Sequence, residues 1–138
     1  MKTALTELLG IDAPIVLAPM GGAITSEFAA AVSNAGGVGM LPLSWNSPEA
    51  VGETVTEMKA LTKAPFGINL IREWDQRARL AAALEAGAPL ISLFWGDPAE
   101  LVQEAHDGGA LVFVTVASAD EAERAVAAGA DVIVAQGW

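Results

Sequence analysis

The 138-residue sequence predicts an α/β protein built on a parallel sheet, and three observations carry that prediction. Short apolar runs recur at 14–19 (PIVLAP), 37–41 (GVGML), 66–70 (FGINL), 89–95 (PLISLFW), 111–116 (LVFVTV) and 132–137 (VIVAQG). Most of them lack polar alternation, so both faces of each strand are expected to be covered, as in a parallel sheet flanked by helices. The segments between them show helical spacing. Finally, Gly87, Gly108 and Gly129 recur at intervals of 21 residues, each closing a helix just ahead of an apolar run, which makes the strand-helix unit an internal repeat.

Taken in order, the amino-terminal MKTALTELLGID breaks its apolar run at Glu7, before a signal-peptide core can form. The first strand, PIVLAP, leads into Met20-Gly21-Gly22, and the second is preceded by the close glycines of AGGVGML. Ser47-Pro48 supplies an N-cap with proline at the first helical position, and Val51, Val55, Met58 and Leu61 then fall on one face of a helix. The third strand, FGINL, carries Asn69 within an apolar run. Asp97-Pro98 with Glu100, and Ser118 with Glu121, fit capping boxes that open the helices after strands four and five. Arg72, Glu73 and Asp75 are read as the start of the helix after the third strand. His106, near the end of the next helix, is read as a solvated terminus residue favoured by the helix dipole.

Composition narrows the functional classes. Seven basic against seventeen acidic residues give a net charge of −10, which repels phosphodiester backbones and anionic membrane surfaces. Neither nucleic acid nor membrane is an expected partner, and no uninterrupted apolar stretch approaches the ~18 residues of a membrane span. The expectation is a soluble, cytoplasmic protein. With no cysteine and a single histidine, no thiolate or multi-histidine metal site is expected, so chemistry here needs an organic cofactor or carboxylates.

Six strands and five helices fit two architectures, a doubly wound sheet or part of a (β/α)₈ barrel. Length favours the first, since a barrel needs about 250 residues. Against it, no G-x-G-x-x-G or P-loop turn follows the first strand.

The segments APIVLAPMGGAIT, AAAVSNAGGVGML, APFGINL and AAGADVIVAQG resemble, in order and spacing, the nitronate monooxygenase family, also called 2-nitropropane dioxygenase-like, over essentially the whole chain. The resemblance implies a parallel TIM-type barrel, here incomplete, with residues 1–138 as the amino-terminal part of a single FMN-binding domain. It also implies oxidation of an alkyl nitronate with O₂ to a carbonyl compound and nitrite. A flavin NADH:quinone reductase, an enoyl-acyl-carrier-protein reductase of the same fold, or a non-catalytic remnant are its rivals. In relatives the A-P-M-G backbone passes beside the flavin ring, which points to Pro19, Met20, Gly21 and Gly22. Asn69 is expected to hydrogen-bond the cofactor, although a neighbouring backbone also satisfies a buried amide. Gln136 and Gly137 match the family's A-Q-G, on the ribityl-phosphate side. The family's catalytic histidine follows in E-A-G-G-H, which the resemblance places past Trp138, together with the phosphate loops of the last strands. No catalytic residue is therefore assigned, and weak FMN binding with no nitronate turnover is expected of the chain alone. Trp45, Trp74, Trp95 and Trp138 all fall at or beyond strand carboxyl ends, which suggests an apolar rim. The unpaired first and sixth strands are expected to drive self-association into a homo-oligomer.

Overall fold

A computed structural model describes residues 1–137. Trp138, the last of the four tryptophans, lies outside them. Five strands, β1 (Gly39–Pro42), β2 (Phe66–Ile71), β3 (Leu90–Phe94), β4 (Leu111–Val116) and β5 (Val132–Ala135), form one sheet in that spatial order. Every neighbouring pair is parallel. Six helices accompany them: α1 (Ala4–Leu9), α2 (Ser26–Asn34), α3 (Pro48–Leu61), α4 (Arg77–Glu85), α5 (Ala99–Asp107) and α6 (Ala119–Ala127).

The first predicted strand shrinks to a single parallel bridge, Val16 with Val38, held by Leu17 N–H to Val38 O and Val38 N–H to Ile15 O, both 2.9 Å. Pro14 and Pro19 bracket it, and proline neither donates to a ladder nor bends to fit one. The sequence pattern therefore counts one strand too many, and it omits α1, which Thr3 opens with a reciprocal cap on Thr6. With Val16 on the outside of β1, the order along the sheet is sequential from end to end, unlike a doubly wound sheet.

The two faces differ in what covers them. Leu41, Ile68, Leu70, Ile91, Leu93, Val112 and Val114 pack under helix residues such as Ala29, Val55, Met58, Leu80, Leu101 and Ala125, all buried. The alternate set, Val38, Met40, Leu90 and Phe113, meets the amino-terminal segment, with Leu9 and Ile11 buried against it and Leu5, Val16 and Leu17 partly buried. Helices on one face and a second apolar cluster on the other are the layers of an incomplete (β/α) barrel, with α1 lying across the floor of its interior. On α3 the predicted face holds at Val51, Val55 and Met58, while Leu61, at the last helical position, is 41% exposed.

Helix ends follow one rule. After α2, α4, α5 and α6 a glycine takes positive φ, at Gly36, Gly87, Gly109 and Gly129, and the next amide reaches back five residues, as Ala88 N–H does to Ala83 O at 2.9 Å. Gly108, predicted to close α5, instead has φ −81°, and its neighbour Gly109 makes the turn.

Candidate active site at the carboxyl-terminal rim

All the sequence-predicted site residues lie at or near the carboxyl ends of the strands, and the connections beyond those ends place them. The turn after Val16 exposes Pro19, Met20, Gly21 and Gly22. One hydrogen bond closes it, Ala23 N–H to Met20 O at 3.2 Å, and Gly22 has φ 75°, a conformation that suits glycine. A Cβ at Gly22 meets nothing within 4 Å, so the backbone presents a bare surface there.

Asn69 lies on the inner face of the sheet, opposite helices α2 to α6, in register between Pro42 and Ser92. It is buried, and its Nδ2 donates to Ser92 O at 3.3 Å and Ser92 Oγ at 3.2 Å. Among the described residues no donor reaches its Oδ1. Of the amide predicted to meet a cofactor, the nitrogen is thus already engaged by the protein, and the oxygen is the atom left open. Ser92 and Ser44 are two residues that sequence reading passed over. Ser44 Oγ accepts from Ile71 N–H at 2.8 Å, tying the end of β1 to the end of β2. Their signal was the one that marked Asn69, a polar side chain inside an apolar run.

Gln136 and Gly137 sit past β5, with Gln136 N–H bonded to Val116 O at 2.9 Å. They border a cavity of about 540 Å³ that Phe94, Trp95, Thr115 and Arg124 also line. Met20, Gly21 and Asn69 share the rim with this cavity and do not line it. The wall of the cavity is strained: Trp95 is the one non-glycine residue with positive φ (60°) among those described, followed by Gly96 at 72°. Arg72 holds this turn, donating its backbone N–H to Phe94 O at 2.7 Å and its Nε to Asp97 O at 3.1 Å. Phe94 and Trp95 stack with centroids 4.5 Å apart.

Arg72, Glu73 and Asp75 precede α4, which starts at Arg77. Asp75 Oδ1 accepts from Arg77 N–H at 3.1 Å, in the manner of an N-terminal Asx turn. Asp97 does the same for Ala99 at 3.0 Å, but Glu100 pairs with Arg77 instead of completing a capping box. With Glu100 foremost and Glu104 next, this pairing holds the Arg77 guanidinium even more firmly protonated than usual. Ser118 caps Glu121 N–H, while the Glu121 carboxylate accepts from Ala117 N–H at 2.6 Å. On the same rim, Glu27 and Glu49 lie in the first turns of α2 and α3. Each carboxyl is held below its ordinary range by its own backbone N–H first, and then by the capping hydroxyl of Thr25 or Ser47.

His106 is at the opposite end. Its Nε2 lies 2.9 Å from Asp131 Oδ2, which also accepts Val112 N–H at 2.7 Å. It is half-buried and joined to β4 through Asp131, in place of the free solvated terminus that the sequence suggests. Among the described residues no helix is long and apolar enough to cross a membrane.

A family model described as nitronate monooxygenase matches residues 2–81 and 71–138. The chain is 32% identical to a nitronate monooxygenase of Paraburkholderia phytofirmans over 176 aligned positions, covering 99% of this chain and 48% of that protein. It is 30% identical, over 138 positions, to a (3aS,4S,5R,7aS)-5-hydroxy-7a-methyl-1-oxo-octahydro-1H-indene-4-carboxyl-CoA dehydrogenase of Mycobacterium tuberculosis, covering 99% of this chain and 39% of that one. Among solved structures it resembles FabK from Thermotoga maritima, with a TM-score of 0.94 and 32% identity over 99% of this chain and 44% of that one. The chain thus spans less than half the length of each of these proteins.

Proposed function

The chain belongs to the nitronate monooxygenase family, and from that premise we propose that it supplies the ring-facing part of the active site of an FMN-dependent oxidoreductase acting on alkyl nitronates with O₂. When bound, FMN supplies the redox centre that takes electrons from the substrate. The residues toward it are the Pro19–Gly22 backbone, Asn69, Gln136 and Gly137. Asn69 carries the reading. Its nitrogen is satisfied within the protein, whereas its oxygen has no partner among the described residues and still reaches solvent, so it is open to a donor from outside, and a flavin ring edge offers one. The bare backbone at Gly22 lets a flat ring approach without meeting a side chain, while Gly21 has the Trp45 indole beside it. Trp45, Trp74 and Trp95 add apolar surface around the rim, which lowers the local dielectric and strengthens each polar contact inside.

A second reading, an oxidoreductase acting on an acyl thioester, is favoured by alignment length. The P. phytofirmans enzyme needs 176 positions against this 138-residue chain, so it carries a segment absent here, whereas the indene-carboxyl-CoA dehydrogenase aligns over 138. Flavin titration tests the shared part: fluorescence of riboflavin and of FMN should both be perturbed, and Asn69→Ala should weaken each about tenfold, the loss of one hydrogen bond to a partner left buried. Oxygen uptake on propyl-2-nitronate, set against oxidation or reduction of an acyl-CoA with a nicotinamide or dye acceptor, separates the two substrate classes. No perturbation of either flavin would overturn both.

A further inference from the structure

The turn at Met20–Gly22 has little of its own to hold it. Residues 18–23 are exposed, and the Ala23 to Met20 bond is the turn's only internal hydrogen bond among the described residues. What lies beside it is an indole. A Cβ built on Gly21 would stand 3.4 Å from Trp45 Cζ3, ordinary van der Waals contact.

Trp45 is 62% exposed and so is no core residue, yet its position is fixed from several sides. Ser44, the residue before it, is bonded to Ile71 N–H. Asn46, the residue after it, accepts Arg79 Nε through its carbonyl at 2.6 Å. Trp74 then packs against its ring, with centroids 5.8 Å apart and planes tilted by 58°. Trp74 comes from the connection between β2 and α4, within the 71–81 stretch where the two family-model matches overlap. Three connections thus meet at one point, two of them braced and the third not.

We propose that Trp45, backed by Trp74, is a positioning residue that holds the Gly21–Gly22 turn in the place from which its backbone meets the cofactor. The cofactor half of this statement rests on the proposed function, and the positioning half on the geometry alone. A tilted aromatic pair is stiff, with few rotamers to lose, and suits the task of stopping a glycine turn from wandering.

Backbone ¹⁵N relaxation on the full chain tests the positioning half without any cofactor. Gly21 and Gly22 amides should have order parameters near the rigid value of about 0.85, and Trp45→Ala should drop them below about 0.6, while Trp45→Phe restores them. Gly109 and Gly129, on the opposite end of the sheet, serve as unchanged internal references. Because Gly21 has no positive φ and the added methyl would reach the indole, Gly21→Ala should raise the order of the turn, and the gain should vanish in the Trp45→Ala background. Order parameters unchanged by Trp45→Ala overturn the proposal. In parallel FMN titrations, a loosened turn with about tenfold weaker binding supports both halves. A loosened turn with unchanged affinity leaves the brace standing and overturns the turn as a cofactor seat.

Discussion

At the amino-terminal end of the strands, helices α2, α4, α5 and α6 stop on the same device, a left-handed glycine followed by an amide that reaches back to the last turn. Beneath them Leu9, Ile11, Val38, Met40, Leu90 and Phe113 close a small apolar floor. At the carboxyl-terminal end no two connections are alike. One is a bare glycine turn, one carries Trp45, one carries Trp74, one forces Trp95 into positive φ, and the last borders an open cavity. Repetition at one end and variety at the other follow from what each end is for. Closing a helix onto the next strand has one good solution, whereas the ligand site proposed for the other end would need different groups at different strands.

The comparison is broken most directly by a substitution in the floor. Phe113→Ala removes a fully buried ring from the inner cluster and should lower stability by about 3–5 kcal/mol, measured by urea unfolding. Flavin binding should fall only as far as the folded population does. Asn69→Ala should do the reverse, costing about 1 kcal/mol for the lost bonds to Ser92 while weakening flavin about tenfold in the folded protein. If Asn69→Ala proved the more destabilising of the two, the upper end would be structural and the division would fail.

How far the sequence made this division legible differs between the two ends. The strands and the helix stops were readable because they depend on periodicity, whereas α1, which supplies Leu9 to the floor, was not. Strand β4 matches its apolar run from Leu111 to Val116, and glycines announce the turns. The misassignment of Gly108 for Gly109 is a one-residue slip between adjacent glycines, either of which can adopt positive φ. The first strand failed because two prolines were hidden inside an apolar run. On the rim, Asn69 stood out as polar within FGINL. Its wiring did not, because which of its two amide atoms is spent depends on Ser92, 23 residues away. The Trp45 and Trp74 contact and the strain at Trp95 are likewise tertiary, set by neighbours that no local spacing reveals.

A smaller effect sharpens the floor. Gly109→Ala places a methyl on a left-handed residue and should cost about 1 kcal/mol even though nothing stands within 4 Å of the new atom. Gly108→Ala brings its methyl to 2.8, 2.9 and 3.0 Å from Leu84 Cδ1, Cδ2 and Cγ, so the partly buried Leu84 side chain must shift, but the backbone conformation is one that alanine accepts. Its cost should be the lesser of the two in thermal melts. The opposite ranking would return the helix stop to Gly108.

The smallest effect belongs to the rim and is a dependence on pH. Glu27 and Glu49, both exposed, have carboxyls held below the ordinary glutamate range by the first-turn backbone and then by Thr25 or Ser47. A carboxyl that binds its proton less readily in the folded than in the unfolded chain stabilises the fold when ionised. That contribution is fully present above the unfolded value and fades as pH falls through the lower folded one. Melts of the wild type from about pH 6 down to about pH 3 should therefore decline, in part through these two helix starts. In the Glu27→Gln, Glu49→Gln double variant this part of the slope disappears: the variant should melt lower than the wild type at the upper end of the range and converge with it at the lower end. Curves that stay parallel throughout would mean that the helix starts on the rim add no acid-sensitive stability, and that both ends of the sheet respond to protons alike.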